Sequence, residues 1–230
     1  MFTAVSASRA AHLPASVSFT EGAVLPLALD AAAVGLIKYL ELPYPSLNSS
    51  TLDKKVIVYG ASSAVGSLAT QLAVGVGVKV LAITSAKNAD LASANGANEV
   101  FDYRDSELVE KTVKAVEDPK SLIGILDAIS ITETIDHDVA ILTKLGGGSI
   151  ATTHPPPEGL PSKVKAAMIW PVDEVTVPIW EEYVTPALNS GKLRCIPKPF
   201  VVGHGLESVQ EALDKNRAGV SAMKLVVELD

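Results

Sequence analysis

The stretch 54–88, KKVIVYGASSAVGSLATQLAVGVGVKVLAITSAKN, constrains this chain more than any other. Val56-Ile57-Val58-Tyr59 is a short β-branched and aromatic run, the pattern of a strand buried on both faces. Gly60 to Gly66 follows as a turn of small residues. From Ser67 to Val74 the residues Leu68, Ala69, Leu72 and Ala73 share one helical face. Gly75 and Gly77 stop that helix, and Val78 to Ile83 reads as a second apolar strand. Strand, tight turn, helix and strand predict a βαβ unit, with a helix N-terminus placed to receive a phosphate.

A dinucleotide-binding turn follows the pattern G-x-G-x-x-G. Counted back from Gly66, its positions fall on Ala61, Ser63 and Gly66. Alanine and serine are small enough for close backbone approach, and the hydroxyls of Ser62 and Ser63 can donate to phosphate oxygens. The cofactor-contacting candidates here are Ala61, Ser62, Ser63, Ala64, Val65 and Gly66. A purely structural turn has the same composition; the flanking strand and helix favour a nucleotide site. The second strand ends Thr84-Ser85-Ala86-Lys87-Asn88, with no acid before Asp90. A carboxylate at this place accepts from the ribose hydroxyls of NAD. A hydroxyl and an ammonium, at Ser85 and Lys87 with Asn88 beside them, suit the 2′-phosphate of NADP(H), which a carboxylate would repel. The competing explanation is a solvated loop with one ordinary lysine.

Bulk properties narrow the class. With 48% hydrophobic and 20% charged residues the chain can bury a core. Its net charge of −7 argues against nucleic acid or an anionic membrane as a partner. We expect no membrane span, because no apolar run of about 20 residues stands out, and we find no secretory signal. Cys195 is the sole cysteine, and His12, His137, His154 and His204 are scattered without ligand spacing. No metal site is expected, and a cytoplasmic location is the simplest expectation.

Along the rest of the chain, apolar strands alternate with helical patterns. Phe2 to Ala7 reads as a strand, and Ser18 with Glu21 as a helix cap. Leu27 to Leu40 is an alanine-rich helix, and 42–51 is a proline and serine linker. Further strands are expected at Glu99–Tyr103, Ile123–Ile129, Gly148–Thr152, Ala166–Ile169, Pro199–Val202 and Met223–Leu229. Helices are expected between them, including Val177–Asn189. The fold class is therefore α/β, a doubly wound parallel sheet of Rossmann type.

Several segments together resemble the medium-chain dehydrogenase/reductase superfamily: YGASSAVG, TSAKN, VFDYR and the closing GLESVQEALDKNRAGVSAMKLVV. LPYPSLN and VVGHGLES resemble in particular a fungal "zinc-binding" oxidoreductase branch that includes trans-acting enoyl reductases of polyketide pathways. That resemblance implies a GroES-like barrel domain preceding the present region. It divides the chain into a remnant of that second domain with its linker (1–50), a dinucleotide-binding domain (51–222) and a C-terminal strand (223–230). It further implies that Tyr103 lies beside the 2′-phosphate or adenine. Ala128 and Ile129 would end the fourth strand at the cleft, and Thr152 and Thr153 would lie towards the nicotinamide or, equally, be strand-end residues leading into a proline loop. Where many relatives carry a threonine near the nicotinamide, this chain has Ala31. His154 and Tyr183 are the candidate proton donors, and Trp170, Trp180 and Tyr183 are equally readable as core. The resemblance implies a reductase of an activated alkene or carbonyl with a small, polyketide-derived substrate. The alternatives are a non-redox isomerase or cyclase of pericyclase type, and a non-catalytic NADPH-binding module. A homodimer is expected, joined through Pro199–Val202 or Met223–Leu229.

Overall fold

The computed structural model describes residues 4–229. At its centre lies β1 (Lys55–Tyr59), buried along its whole length. The alternation of its side chains builds both halves of the core. Val56 and Val58 enter one apolar cluster, Ile57 and Tyr59 the other. The first cluster is closed by α2 (Pro26–Ala33), α3 (Ala64–Val76) and α7 (Val184–Asn189). The second is closed by α5 (Leu108–Val116) and α6 (Thr132–Lys144).

Five further strands flank β1 in parallel: β2 (Lys79–Thr84), β3 (Glu99–Asp102), β4 (Leu122–Asp127), β5 (Gly148–Thr152) and β6 (Val164–Met168). They form one six-stranded sheet in the order β3-β2-β1-β4-β5-β6. The doubly wound parallel sheet expected from the sequence is thus the fold observed. The chain leaves β1 for β2 on one side and returns to β4 on the other. This reversal opens a crevice at the C-terminal ends of β1 and β4.

The N-terminal part differs from expectation in two respects. Ala4 to Ser6 carry no strand and Ala7–Arg9 is a 3₁₀ turn; Phe2 and Thr3 lie outside the described residues. Arg9 pins this segment to the body of the fold, donating to the Asp173 carbonyl (3.2 Å) and pairing with Glu174 (2.9 Å). The helix α1 (Phe19–Gly22) starts on the predicted capping box between Ser18 and Glu21. Pro26 occupies the first turn of α2, where its missing N–H costs nothing, and α2 continues into a wider π-type turn over Val34–Tyr39. Residues 19–39 therefore form a 21-residue helical run that is long and apolar enough to cross a membrane. This corrects the expectation that no such run exists. Leu29, Ala32, Ala33 and Val34 are wholly enclosed in the fold, so the run is built as a core helix.

The C-terminal strands do not join the large sheet. β7 (Pro199–His204) and β8 (Lys224–Glu228) pair in parallel with each other, with α8 (Val209–Arg217) between them in sequence. Thr20 Oγ1 donates to Glu228 at 2.5 Å and ties this layer to α1. The two segments named as dimer contacts thus pair with one another along one edge each, and the outer strands of the large sheet are β3 and β6.

Candidate cofactor site

The turn after β1 is shaped by two glycines. Gly60 adopts φ +73, and its N–H and that of Ala61 both donate to the Ile83 carbonyl (2.9 and 3.1 Å). Gly66 faces backbone so closely that an added Cβ would lie 2.2 Å from the Gly60 oxygen. Ser63 caps α3, its Oγ accepting from the Gly66 N–H at 3.1 Å. The cap takes up the Gly66 N–H, and the N–H groups of Ala64 and Val65 are left for a ligand or solvent.

A cavity of about 410 Å³ lies at the ends of β1, β2 and β3. Of the predicted residues, Ser62, Ser63, Ser85, Lys87, Asn88, Tyr103 and Ile129 line it. Ser62 and Thr84 share a hydrogen bond of 2.7 Å, and Asn88 Nδ2 donates to Ser62 Oγ at 3.1 Å and to Ser221 Oγ at 3.3 Å. Arg104 extends the cationic side begun by Lys87. Its guanidinium lies 5.1 Å from the centre of the Tyr103 ring and donates to the Tyr103 hydroxyl at 3.0 Å.

Other predicted residues lie elsewhere. Ala61 is buried in the core, and Gly66 is covered beneath the turn. Ala64 borders a second cavity of about 440 Å³ between the turn and α8, while Val65 packs against the core. Ala128 also packs against the core. Thr152 is fully buried and its hydroxyl donates to the Ala167 carbonyl of β6 at 3.3 Å, so that side chain is spent inside the sheet. Thr153 is tied to the end of β4, its N–H donating to Ser130 Oγ at 2.8 Å. His154 stands exposed just beyond β5. Tyr183 is a correction. Its hydroxyl is buried against Gly75 at the C-terminal end of α3, the opposite end of the sheet from the crevice, because the π-type turn Ile179–Tyr183 rotates it inward.

Sequence reasoning missed Gly60, Thr84, Arg104, Glu133, Thr134 and the segment Val220–Ala222, all of which line the first cavity. Gly60 and Arg104 adjoin residues already singled out. Glu133 and Thr134 carry no motif, and Val220–Ala222 arrives from the C-terminal layer.

Beneath the cavity lies a compact set of ionisable groups. Asp127, wholly buried at the end of β4, accepts from the N–H of Ile129 (2.8 Å) and Ser130 (2.9 Å) and from the Thr134 hydroxyl (2.6 Å). Those bonds hold Ser130 at φ +53 and fix the turn that enters α6. Burial, and secondarily the charges of Asp138 and Asp127, pushes the Tyr59 phenol upward; its hydroxyl bonds His137 Nδ1 at 3.0 Å. Asp138 is wholly buried and no donor reaches either of its oxygens. Burial first, then the neighbouring Asp127, raises it well above the carboxylate range, so it is held as the neutral acid.

A raised folded-state value has a defined consequence for stability. The unfolded chain loses this proton near its ordinary value of 3.8, while the folded chain keeps it. Stability is therefore highest below that pH and falls as pH rises towards the folded value. Asp138→Asn removes that loss by placing an uncharged side chain of the same size beside Asp127. It is expected to melt at a higher temperature than wild type at pH 7, with the gain shrinking towards pH 4. A lower melting temperature at pH 7, followed by circular dichroism, would refute the neutral assignment.

Comparison with known proteins agrees with this architecture. A family model described as "Zinc-binding dehydrogenase" matches residues 64–177. "Dehydrogenase orsE" of Emericella nidulans is 46% identical over 245 residues, covering 100% of this chain and 70% of that protein. "Trans-enoyl reductase himH" of Aspergillus japonicus is 34% identical over 235 residues, covering 100% of this chain and 68% of that protein. Among solved structures, the CurK enoyl reductase superposes with a TM-score of 0.70 at 21% identity, over 95% of this chain and 65% of that one. The chain thus spans about two thirds of the length of each.

Proposed function

The chain belongs to the medium-chain dehydrogenase/reductase superfamily, in the branch of fungal dehydrogenases and trans-enoyl reductases, and we propose that it is an NADP(H)-dependent reductase acting on an activated alkene or carbonyl in polyketide-type metabolism. One observation carries the choice of cofactor. The end of β2 offers Ser85 and Lys87, Arg104 lines the same cavity, and no carboxylate follows β2 before Asp90. Three donors, two of them cationic, complement a dianionic 2′-phosphate.

The residues fit a dinucleotide. The tight packing of Gly66 on the Gly60 backbone sets the N-terminus of α3 close to β1, Ser62 and Ser63 suit the diphosphate, and Ser85, Lys87 and Arg104 its 2′-phosphate. Bound so, the nicotinamide supplies a hydride to an electron-poor carbon. The protein's own part is to grip the adenosine end and direct the other end towards the termini of β4 and β5. His154, exposed beyond β5, is the remaining proton-donor candidate.

The residues do not fit zinc. Among the described residues no three His, Cys, Asp or Glu side chains converge. Burial, helped by Glu21, pushes the Cys195 thiol up to about 11, which disfavours the thiolate a metal would need. No step is assigned to a metal.

One feature favours a non-redox isomerase or cyclase. Ala31, buried on α2, has no hydroxyl where the resemblance to relatives implies one towards the nicotinamide. The two activities differ in stoichiometry. With a polyketide-type enone as substrate, a reductase consumes one NADPH, followed by absorbance, for each product molecule resolved by chromatography. We expect that matched loss. Product formed at an undiminished rate by cofactor-free protein would eliminate the reductase.

A further inference from the structure

The rim of the adenosine-side cavity carries one carboxylate without a partner. Glu133, in the first turn of α6, lines the cavity and makes no hydrogen bond or ion pair among the described residues. Its neighbour Thr134 is committed to Asp127 at 2.6 Å, so the backbone that presents Glu133 is fixed. Ile129 and Ile131 line the same cavity, and Ile131 is a large apolar side chain left 52% exposed. Lys87 and Arg104 also line the cavity. The lining therefore combines apolar side chains against which a flat ring can pack, one carboxylate acceptor and two cations.

A carboxylate has acceptors only. A purine stacked on the two isoleucines and bearing an exocyclic amine can donate to it. A purine with a carbonyl at the same position sets an acceptor against an acceptor and leaves both unsatisfied. The geometry points to Glu133 as a specificity-determining residue that accepts a hydrogen bond from the 6-amino group of the cofactor's adenine. This assignment rests on the dinucleotide reading above. The competing role is electrostatic support of the N-terminus of α6, which an acid in the first turn also provides. That role affects stability and is indifferent to the base.

The test compares the full chain with NADPH and with its 6-oxo analogue, reduced nicotinamide hypoxanthine dinucleotide phosphate, by fluorescence titration. Wild type should bind NADPH about tenfold more tightly than the analogue, the scale of one unsatisfied polar contact. In Glu133→Gln the amide can accept from an amine or donate to a carbonyl, so the ratio should fall to within about threefold. A wild-type ratio near one, or a ratio unchanged in Glu133→Gln, overturns the assignment while leaving the dinucleotide site intact. A lowered melting temperature of Glu133→Gln with an unchanged ratio identifies the helix-support role instead and overturns it equally. Failure of wild type to bind either dinucleotide overturns the cofactor reading and this assignment with it.

Discussion

Replacing Lys87 and Arg104 together by alanine is expected to weaken NADPH binding by about two decades while changing NADH binding by less than about threefold. Both side chains line the cavity, and neither forms an ion pair with an acid among the described residues. Their charges are thus free for a ligand. Each charge-assisted contact with a phosphate is worth more than a neutral hydrogen bond, but both groups are exposed and water-screened, which holds the expected loss to the lower end. Arg104 also stacks on Tyr103, so its removal frees that ring. Raising the salt concentration should narrow the difference between wild type and the double variant. Calorimetric titration with both cofactors checks this. Equal losses for NADPH and NADH would show that the cations do not read the 2′-phosphate.

Gly66→Ala is the second large effect expected. The added methyl would meet the Gly60 oxygen at 2.2 Å, the Gly60 carbonyl carbon at 2.7 Å and the Ala61 Cα at 2.9 Å. All three are backbone, so no side chain can swing aside. Relief requires α3 to move off β1 or the turn to reopen. Overpacking against fixed backbone costs about 2–4 kcal/mol, which for a chain of this size lowers the melting temperature by roughly 5–15 °C. Because the same shift displaces the first turn of α3, NADPH binding should be lost even at temperatures where the variant remains folded. A melting temperature within about 2 °C of wild type, with binding intact, would mean that the close approach is not required.

Much of this was legible because the strongest signals are local. The β1–α3–β2 unit is written in contiguous residues, and strict alternation in Val56-Ile57-Val58-Tyr59 assigns each side chain to a face. Ser85 and Lys87 could be placed at the cavity because the end of β2 is fixed relative to the turn. Tyr183 could not be placed, since a π-type turn shifts which residues of a helix face inward and leaves no pattern of its own. Which of two readings held for Thr152, cofactor contact or strand end, was undecided for a related reason. A strand-end hydroxyl can face the crevice or the next strand, and the choice depends on β6. Glu133 and Arg104 acquire significance only when the ends of β3 and β4 face one cavity. The pairing of β7 with β8 was hidden because parallel strands separated by a helix look alike wherever their sheet lies.

The hydrogen bonds running from Thr84 through Ser62 and Asn88 to Ser221 bear on the order in which the protein is made. The last of these links spans 133 positions in sequence. A ribosome releases the β1–α3–β2 unit long before it reaches Ser221, and domains form from the N-terminal side as the chain emerges. For that interval the cavity has a floor and lacks the wall supplied by Val220–Ala222. Asn88 therefore gains its second hydroxyl partner only after every strand of the large sheet has been made.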